Sequence, residues 1–449
     1  MKLQSNDGEG LFDGPGTSAF GIFLRKFIDR DVAIVLGVAL ITRLLFMLLM
    51  PGTLHSVDAI SWERVAGLLD EEKNPYQATT LLNWPPFWMQ CIFLLSKMAH
   101  TYSIPFFRML QLFVVAVESG VIVLVIKLIR TVTPEAKVRS IVIAGIALNP
   151  APLFLTCMHC NFDIIVGFWV LLFVLFLVRY QQSGEISDWL CACLFLGLGI
   201  LTKTVPLILI PMLAGGFRRA GLSLQVIATA LVLGPVTLGM SIIYSLTPVD
   251  VAEKVLAYRS IPGSFGITGL LNMAGLQGMY GFYNAIFYAA LLVALVFTTI
   301  YFWGMRSIGS RETVLYAALL LACVPTLGPG FGTQYLYWYL PLLVATYPYF
   351  DDRWQLALRV FGIAIAIIYT VQCAVIGAEG AFVVNIWMSK GIPIDVLGFF
   401  ASFENPGVQT LVYLPMFLSC LYIIALGIHR LIRYTRISLS ERMPESPKI

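Results

Sequence analysis

The segment from residue 51 to 88 carries a dense set of groups that can do acid–base chemistry. It contains His55, Asp58, Glu63 and the run Asp70-Glu71-Glu72, and it separates two strongly apolar stretches. Only 12% of the 449 residues are charged whereas 59% are hydrophobic, so this concentration of ionisable groups needs a reason. We interpret the segment as the place where the protein meets a polar substrate.

Asp58 is the candidate general base. It follows the first apolar stretch directly, and a carboxylate beside apolar walls at a membrane boundary can have its pKa raised, which suits proton abstraction. An alternative explains the residue structurally: Ser56 and Asp58 open an amphipathic stretch, where an acidic side chain stabilises a helix N-terminus through the macrodipole. The acidic run at 70–72 is typical of a solvated surface.

More ionisable residues follow later apolar stretches. His159 and Asp163 lie between two predicted spans, and Lys203 lies at a predicted helix break close to Pro206. Ionisable side chains at membrane depth are functional candidates, and a lysine there could neutralise an anionic group of a substrate. The structural alternatives are helix capping by Asp163 and snorkelling of Lys203 to the surface.

Two further segments contribute candidate binding residues, and a pair of cysteines gives only a weak indication of a metal or redox site. Tyr258-Arg259-Ser260 opens a loop with Gly and Pro, where Arg259 could clamp a phosphate. Gln334 precedes an aromatic run of the kind that forms interface belts. Cys157 and Cys160 have C-x-x-C spacing without a second pair, so a metal or redox centre is the less favoured interpretation. The net charge of +4 gives no indication of nucleic-acid binding.

The composition places these residues in an all-α polytopic membrane protein. The mean hydropathy is +0.84, and apolar runs of roughly 20 residues recur, which is the length that crosses a bilayer as a helix. We predict about 11–13 transmembrane helices and an interfacial or re-entrant helix at 86–99, which is too short to cross. The predicted spans are 31–50, 106–128, 140–157, 163–179, 189–201, 204–215, 221–245, 282–304, 313–328, 335–350, 357–376 and 411–430.

The chain is predicted to form one membrane domain over residues 31–430. Residues 1–30 and 431–449 would be cytoplasmic, and 51–105 would form an outer loop with interfacial helices. Most of the 29 Lys and Arg residues then fall on the side of the two termini, as the positive-inside rule requires. All candidate site residues fall on the other face.

Arg108 and Glu118 share the second predicted span but lie ten residues apart. Because that separation is nearly three helical turns, they cannot pair with each other. Each is expected to find a partner on a neighbouring helix.

In their order along the chain these motifs resemble the GT-C superfamily, polytopic glycosyltransferases that use polyprenyl-phosphate sugars, and its mannosyltransferase-like members most closely. In that family an acidic residue after the first span precedes Asn-Pro-Tyr and a Tyr-Pro-Pro-like turn; here these are Asp58, Asn74-Pro75-Tyr76 and Trp84-Pro85-Pro86. The resemblance covers roughly residues 31–341. Its later motifs are Asn149-Pro150, Phe162-Asp163, Lys203 with Pro206 and Pro211, Tyr258-Arg259-Ser260, Phe265-Gly266-Ile267, and Gln334-Tyr335 with Trp338 and Pro341.

The resemblance implies inverting transfer of a hexose, with mannose the first choice, from a polyprenyl-phosphate sugar to a hydroxyl of a glycan, lipid or protein. Asp58 would be the general base. It implies no cofactor, and the first loop lacks an Asp-x-Asp pair, which puts metal dependence in doubt. The donor phosphate would contact His55, His159, Asp163, Lys203, Tyr258, Arg259 and Gln334, and the acceptor or the loop would be positioned by Asn74, Tyr76 and Trp84.

The distribution of charged residues also bears on the membrane location and on an alternative function. We expect a multi-pass protein of a bacterial inner membrane with its site on the periplasmic face; the absence of an Asn-x-Ser/Thr sequon favours this over an endoplasmic reticulum. The alternative is a lipid-linked-sugar flippase or secondary transporter, which would spread ionisable residues over both faces and the midplane. No inverted internal repeat is visible, which disfavours a common class of transporter.

Overall fold

The computed structural model describes residues 29–49, 57–79, 82–242, 254–255, 265–304, 308–371 and 405–440, and all regular secondary structure within them is helical. The predicted site residues His55, Tyr258 and Arg259 lie outside the described residues. The α-helices are α1 (Arg30–Leu49), α2 (Val57–Asp70), α3 (Pro75–Ala78), α4 (Pro86–Thr101), α5 (Phe106–Val132), α6 (Val138–Val142), α7 (Pro150–Cys157), α8 (Asp163–Ser183), α9 (Ile186–Thr202), α10 (Ala214–Arg219), α11 (Leu222–Ile242), α12 (Gly266–Met273), α13 (Tyr280–Gly304), α14 (Ser310–Leu327), α15 (Leu340–Thr346), α16 (Asp352–Val371) and α17 (Pro406–Ser440).

The expected all-α polytopic architecture is confirmed. In the described ranges, helices α1, α5, α8, α11, α13, α14, α16 and α17 are long and apolar enough to cross a bilayer, and the bent pair α6–α7 can supply a ninth crossing. Three of the twelve predicted spans are not found as spans in the described residues: helix α9 has only 17 residues, and two other apolar stretches contain prolines and form shorter pieces. Residues 204–215 form mainly a 3-10 segment (Val205–Leu213), and 335–350 divide into 3-10 turns around α15.

The helix break at Lys203 is confirmed. Helix α9 ends at Thr202, and Lys203 has an extended backbone with φ −157° and ψ 149°. Pro206 and Pro211 then lie in the 3-10 segment; each lacks the N–H that would continue an α-helix. The break leaves Lys203 at the end of a helix, where its side chain can reach across to other helices.

The stretch predicted as one span at 140–157 is bent by 53°. After α6 the backbone forms a π-helical turn (Ile143–Ala147), and Asn149 then caps α7 by accepting a 3.0 Å hydrogen bond from the backbone of Ala151. Pro150 begins the new helix, as is usual for a residue without an N–H. Asn149-Pro150 is thus a helix break.

Helix α4 matches the predicted short helix at 86–99. Its 16 residues extend about 24 Å, less than the roughly 30 Å hydrocarbon core. Trp88, Met89 and Ile92 are completely buried, whereas Leu94 is 61% exposed. Such one-sided burial suits a helix that lies against the bundle with one face toward another medium.

The core of the bundle contains a buried ion pair between α1 and α5. Arg43 binds Glu118 through two parallel hydrogen bonds, Nε to Oε2 at 2.8 Å and Nη2 to Oε1 at 2.9 Å, and both side chains are 1% exposed. The Tyr337 hydroxyl also donates to Glu118. Arg108 instead donates at 2.7 Å to the carbonyl of Met47 in α1. The expectation that each finds a partner on a neighbouring helix is confirmed.

The two ends of the bundle differ in chemistry. Helix α8 begins at Asp163, beside the candidate site, and reaches Arg179 sixteen residues later, about 24 Å away. At that far end Arg179 pairs with Asp188 at 3.3 Å, Arg130 binds Asp31 at 2.6 Å and Arg430 binds Asp351 at 2.5 Å. We refer to it below as the basic end.

Candidate functional site

A cavity of about 340 Å³ lies at the end of the bundle opposite the basic end. It brings together segments that are far apart in the sequence: the start of α2, the loop before α4, the turn before α8, the break after α9, one face of α13 and the 3-10 turn Thr333–Trp338. Its polar and aromatic lining includes Asp58, Trp62, Asn83, Trp84, Asn161, Phe162, Lys203, Thr204, Tyr288, Gln334, Tyr335 and Trp338.

Asp58 lies in the first turn of α2 and lines this cavity. Its Oδ2 is 2.9 Å from Nε2 of His159 and accepts a 3.1 Å hydrogen bond from Nδ2 of Asn161. In the described part of the chain, Oδ1 has no hydrogen-bond partner, and 39% of the side chain is exposed. One carboxylate oxygen is therefore oriented by the protein while the other is available to a ligand.

The pKa of Asp58 is shifted opposite to expectation. Burial raises this pKa, but the hydrogen bond and the charge of His159, the charge of Lys203 and the hydrogen bond of Asn161 together outweigh burial and hold it below its ordinary value. The expectation of a raised pKa is wrong because apolar walls are only one part of the surroundings. Asp58 is ionised at neutral pH, and its place in the first turn of α2 also suits the macrodipole.

The turn between α7 and α8 carries the partners of Asp58. Cys160 has a left-handed backbone with φ 54°, which reverses the chain before α8. Asn161 uses both ends of its amide: Oδ1 accepts a 2.9 Å hydrogen bond from the backbone of Asp163, while Nδ2 binds Asp58. Asn161, and not Asp163, therefore caps the start of α8 with its side chain. Sequence reasoning did not single it out, although Asn two residues before a helix is a known turn signal.

Lys203 and Asp163 form a second polar pair, with Lys203 at the cavity surface and Asp163 behind it. Lys203 Nζ donates to Oδ1 of Asp163 at 2.7 Å, and Nε1 of Trp338 donates to the same oxygen at 2.7 Å. Lys203 lines the cavity and its side chain is 20% exposed, whereas Asp163 is 1% exposed and does not line it. Asp163 is thus placed to hold Lys203 and not to touch a ligand in the cavity.

Aromatic rings surround the Lys203 ammonium group. Nζ lies 5.0 Å from the ring centre of Phe162, 4.8 Å from that of Tyr335 and 5.1 Å from that of Trp338. Such cation–π contacts favour a charge that has lost part of its water. The snorkelling alternative is wrong, because Lys203 is held inside the bundle by four side chains.

The predicted loop residues pack behind one wall of the cavity. Asn74 caps α3 by accepting a 3.0 Å hydrogen bond from the backbone of Tyr76. Tyr76 is 1% exposed, and its hydroxyl donates to the carbonyl of Trp84 at 2.6 Å. Of these three residues only Trp84 lines the cavity, so Asn74 and Tyr76 position the loop that presents it.

Of the remaining predicted site residues, Gln334 has a described position, whereas three others lie outside the described residues. Gln334 lines the cavity beside Tyr335. The phosphate clamp predicted for Arg259 lies outside the described residues and stays a prediction, as do the roles of His55 and Tyr258. In the ranges that the structure covers, no group of three or more His, Cys, Asp or Glu side chains is arranged to hold a metal ion.

The chain was also compared with known proteins. No family model matches it, and no curated protein matches it significantly.

Proposed function

We propose that the protein is a GT-C-type membrane glycosyltransferase that moves a hexose, mannose being the first choice, from a polyprenyl-phosphate sugar to a hydroxyl acceptor. The observation that carries the proposal is one cavity joining an ionised carboxylate, Asp58, to a caged ammonium group, Lys203. Such a transfer needs a base for the acceptor hydroxyl and a cation for the leaving phosphate. The acceptor would be a glycan, lipid or protein.

The reaction would proceed with inversion in a single displacement. The acceptor oxygen attacks the anomeric carbon while Oδ1 of Asp58 takes its proton, and the bond from that carbon to the phosphate oxygen breaks. The phosphate leaves with the bonding electrons, and its new charge is stabilised by Lys203. Because a phosphate is a good leaving group, a carboxylate with a lowered pKa is a sufficient base.

Lys203 suits a phosphate because its donors are only partly used. An ammonium group has three N–H donors, and Asp163 takes one of them. The buried carboxylate and the three rings restrain the group while about a fifth of the side chain stays accessible. A pre-oriented cation of this kind stabilises developing charge at little cost in reorganisation.

The apolar part of the cavity supports a lipid-linked donor. Phe287, Tyr288 and Leu291 of α13 line one side, and Val205 and Ile208 line another. Other large apolar residues of α13 are exposed, including Phe282 at 63%, as expected of a helix that contacts acyl chains. A polyprenyl chain could therefore remain in the bilayer while its sugar phosphate lies beside Asp58.

The proposed location follows from the two ends of the bundle. Arg130, Arg179 and Arg430 lie at the end opposite the cavity. Because cytoplasmic loops carry the excess of Lys and Arg, we propose that the cavity faces the extracytoplasmic side. A bacterial inner membrane is the first choice for that membrane.

The test is transfer of radiolabelled mannose from synthetic polyprenyl-phosphate mannose by purified protein in vesicles, with a membrane extract as acceptor. Asp58→Asn should lower turnover about 10²–10⁴-fold, and Asp58→Glu should retain part of the activity. Glu63→Gln, which alters an exposed carboxylate on the same helix, is the matched control and should be active. Near-normal transfer by Asp58→Asn would remove Asp58 from the mechanism.

The same vesicles distinguish the rival function. A flippase would move the labelled lipid across the bilayer without breaking its bond to the sugar. Protection of the intact lipid from an external reagent, with no labelled product, would overturn the glycosyltransferase proposal in favour of transport.

A further inference from the structure

A second cavity, of about 660 Å³, lies between the bent pair α6–α7 and helices α15 and α16. It shares no lining residue with the cavity of Asp58, and we call it the lateral groove. Its walls are mainly apolar, with Ile141, Leu148, Leu343 and Ile363 among the lining residues. Its volume lies in the range of roughly 300–1,000 Å³ that accommodates small ligands.

The groove follows from the bend in the preceding span. The π-helical turn and the break at Asn149 turn α7 by 53° from α6. Asn149 Nδ2 then donates to the carbonyl of Gly362 at 3.3 Å, which fixes the floor of the groove against α16. The small residues Ala144 and Gly145 in the π turn also line it. The space is therefore built by the fold and not by a mobile side chain.

One cation, Arg359, lines the lateral groove. Its Nε donates to the hydroxyl of Tyr347 at 2.6 Å, and its guanidinium lies 5.6 Å from the ring centre of that tyrosine. Arg359 is the eighth residue of α16, so it lies about 10 Å along a candidate span. Its side chain is exposed.

Arg359 differs from Arg130, Arg179 and Arg430, because no acidic partner for it lies within the described residues. Arg130 and Arg430 each bind a carboxylate, whereas among the described residues no carboxylate pairs with Arg359, and its hydrogen bonding is confined to Nε. A guanidinium has five N–H donors in a planar fork that matches a phosphate. Beside an apolar groove, such a cation is better satisfied when an anion meets its remaining donors.

We propose that the lateral groove binds an anionic phospholipid, with its acyl chains along the apolar walls and its phosphate at the Nη groups of Arg359. The charge of Arg359 selects an anionic headgroup, and the hydroxyl of Ser140, which also lines the groove, offers a second polar contact. Helix α16, which begins at the basic end, lines the groove; in the orientation proposed above, that end faces the cytoplasmic leaflet, which is rich in anionic lipid. This inference is independent of the transfer reaction.

The experiment measures lipid retention by the full-length protein in detergent. Phosphatidylglycerol and phosphatidylcholine with identical chains are added, and bound lipid is counted by native mass spectrometry. The wild type should retain phosphatidylglycerol preferentially, and Arg359→Gln should weaken that retention about tenfold or more, as expected for loss of a charge-assisted hydrogen bond. Arg353→Gln, which removes an exposed arginine from the first turn of the same helix, should retain the lipid normally.

A second variant tests the contribution of the apolar groove separately from that of the Arg359 charge. Ala366→Phe adds a ring to the groove lining without touching Arg359, and it should lower retention of both lipids. Equal retention of the two lipids by the wild type, or normal retention by Arg359→Gln, would overturn the proposal. Stronger retention of polyprenyl phosphate than of phosphatidylglycerol, or a lipid-free dimer, would assign the groove to another occupant.

Discussion

The ammonium group of Lys203 and the carboxylate of Asp163 meet at 2.7 Å, but the two side chains are exposed to very different extents, 20% and 1%. The cation therefore stands at the cavity surface and the anion behind it. The buried carboxylate fixes where the charge of Lys203 can lie, and it leaves part of the ammonium group available. This asymmetry predicts different results from mutating the two partners.

Lys203→Met should destabilise the protein more than Asp163→Asn. The lysine variant leaves a carboxylate buried without its ion partner, a change that typically costs about 3–5 kcal/mol, whereas the aspartate variant leaves a cation that is partly solvated and still surrounded by rings. Thermal denaturation in detergent measures which of the two variants is less stable. The double variant should regain stability yet fail to transfer sugar, and a double variant with normal transfer would contradict the role given to Lys203.

Transfer should be lost at low pH, as pH falls through the lowered pKa of Asp58. The folded-state pKa lies below the ordinary value of 3.8, so the carboxylate stays ionised above it and gains a proton only in more acidic solution. His159→Ala removes the hydrogen bond and the charge that lower this pKa most. The acid limb of the kcat/KM profile should therefore move to higher pH in that variant.

Asn161→Ala is the comparison for this pH experiment, because Asn161 contributes the weakest of the named lowering interactions. Its acid limb should move less than that of His159→Ala. An unchanged limb in both variants would show that Asp58 is not the group whose ionisation limits the reaction.

The pair Arg43–Glu118 should be a stability determinant without a chemical role. Either Arg43→Met or Glu118→Met leaves a buried ion without its charged partner and should lower the free energy of unfolding by about 3–5 kcal/mol. The double variant Arg43→Met with Glu118→Met should recover much of that loss, because no charge remains buried. Arg64→Met, on the exposed face of α2, is the control and should be nearly as stable as the wild type. A double variant whose loss of unfolding free energy equals the sum of the two single losses would contradict the coupling between Arg43 and Glu118.

The two ends of the bundle should be accessible from opposite sides of the membrane. Glu63→Cys lies at the cavity end and Arg353→Cys at the basic end, and both positions are exposed. In a variant whose native cysteines are replaced, a membrane-impermeant maleimide added to right-side-out cells should label position 63 and spare position 353. Labelling of both positions from one side would refute the proposed arrangement.

Local sequence patterns predicted much of the fold. Proline positions marked the break after α9, because a residue without an N–H removes a hydrogen bond of the α-helix and so kinks or ends it. The short apolar stretch at 86–99 was correctly predicted to form a helix too short to span the membrane, and α4 has only 16 residues. Within the described residues, the apolar stretches at 189–201, 204–215 and 335–350 were predicted as spans but form helical pieces too short to qualify as spans. Hydropathy measures transfer out of water and does not distinguish lipid from protein interior.

The chain alone determined that this is an all-α membrane protein, and it singled out Asp58, His159, Lys203 and Gln334 as candidate site residues. These conclusions depend on side-chain type and on hydropathy along one stretch, which are local properties. The tertiary structure decided that Oδ2 of Asp58 accepts hydrogen bonds while Oδ1 has no partner among the described residues, and that the pKa of Asp58 is lowered. Those outcomes depend on His159 and Asn161, 101 and 103 residues further along the chain, because electrostatic interactions act through distance in space and not through separation in sequence.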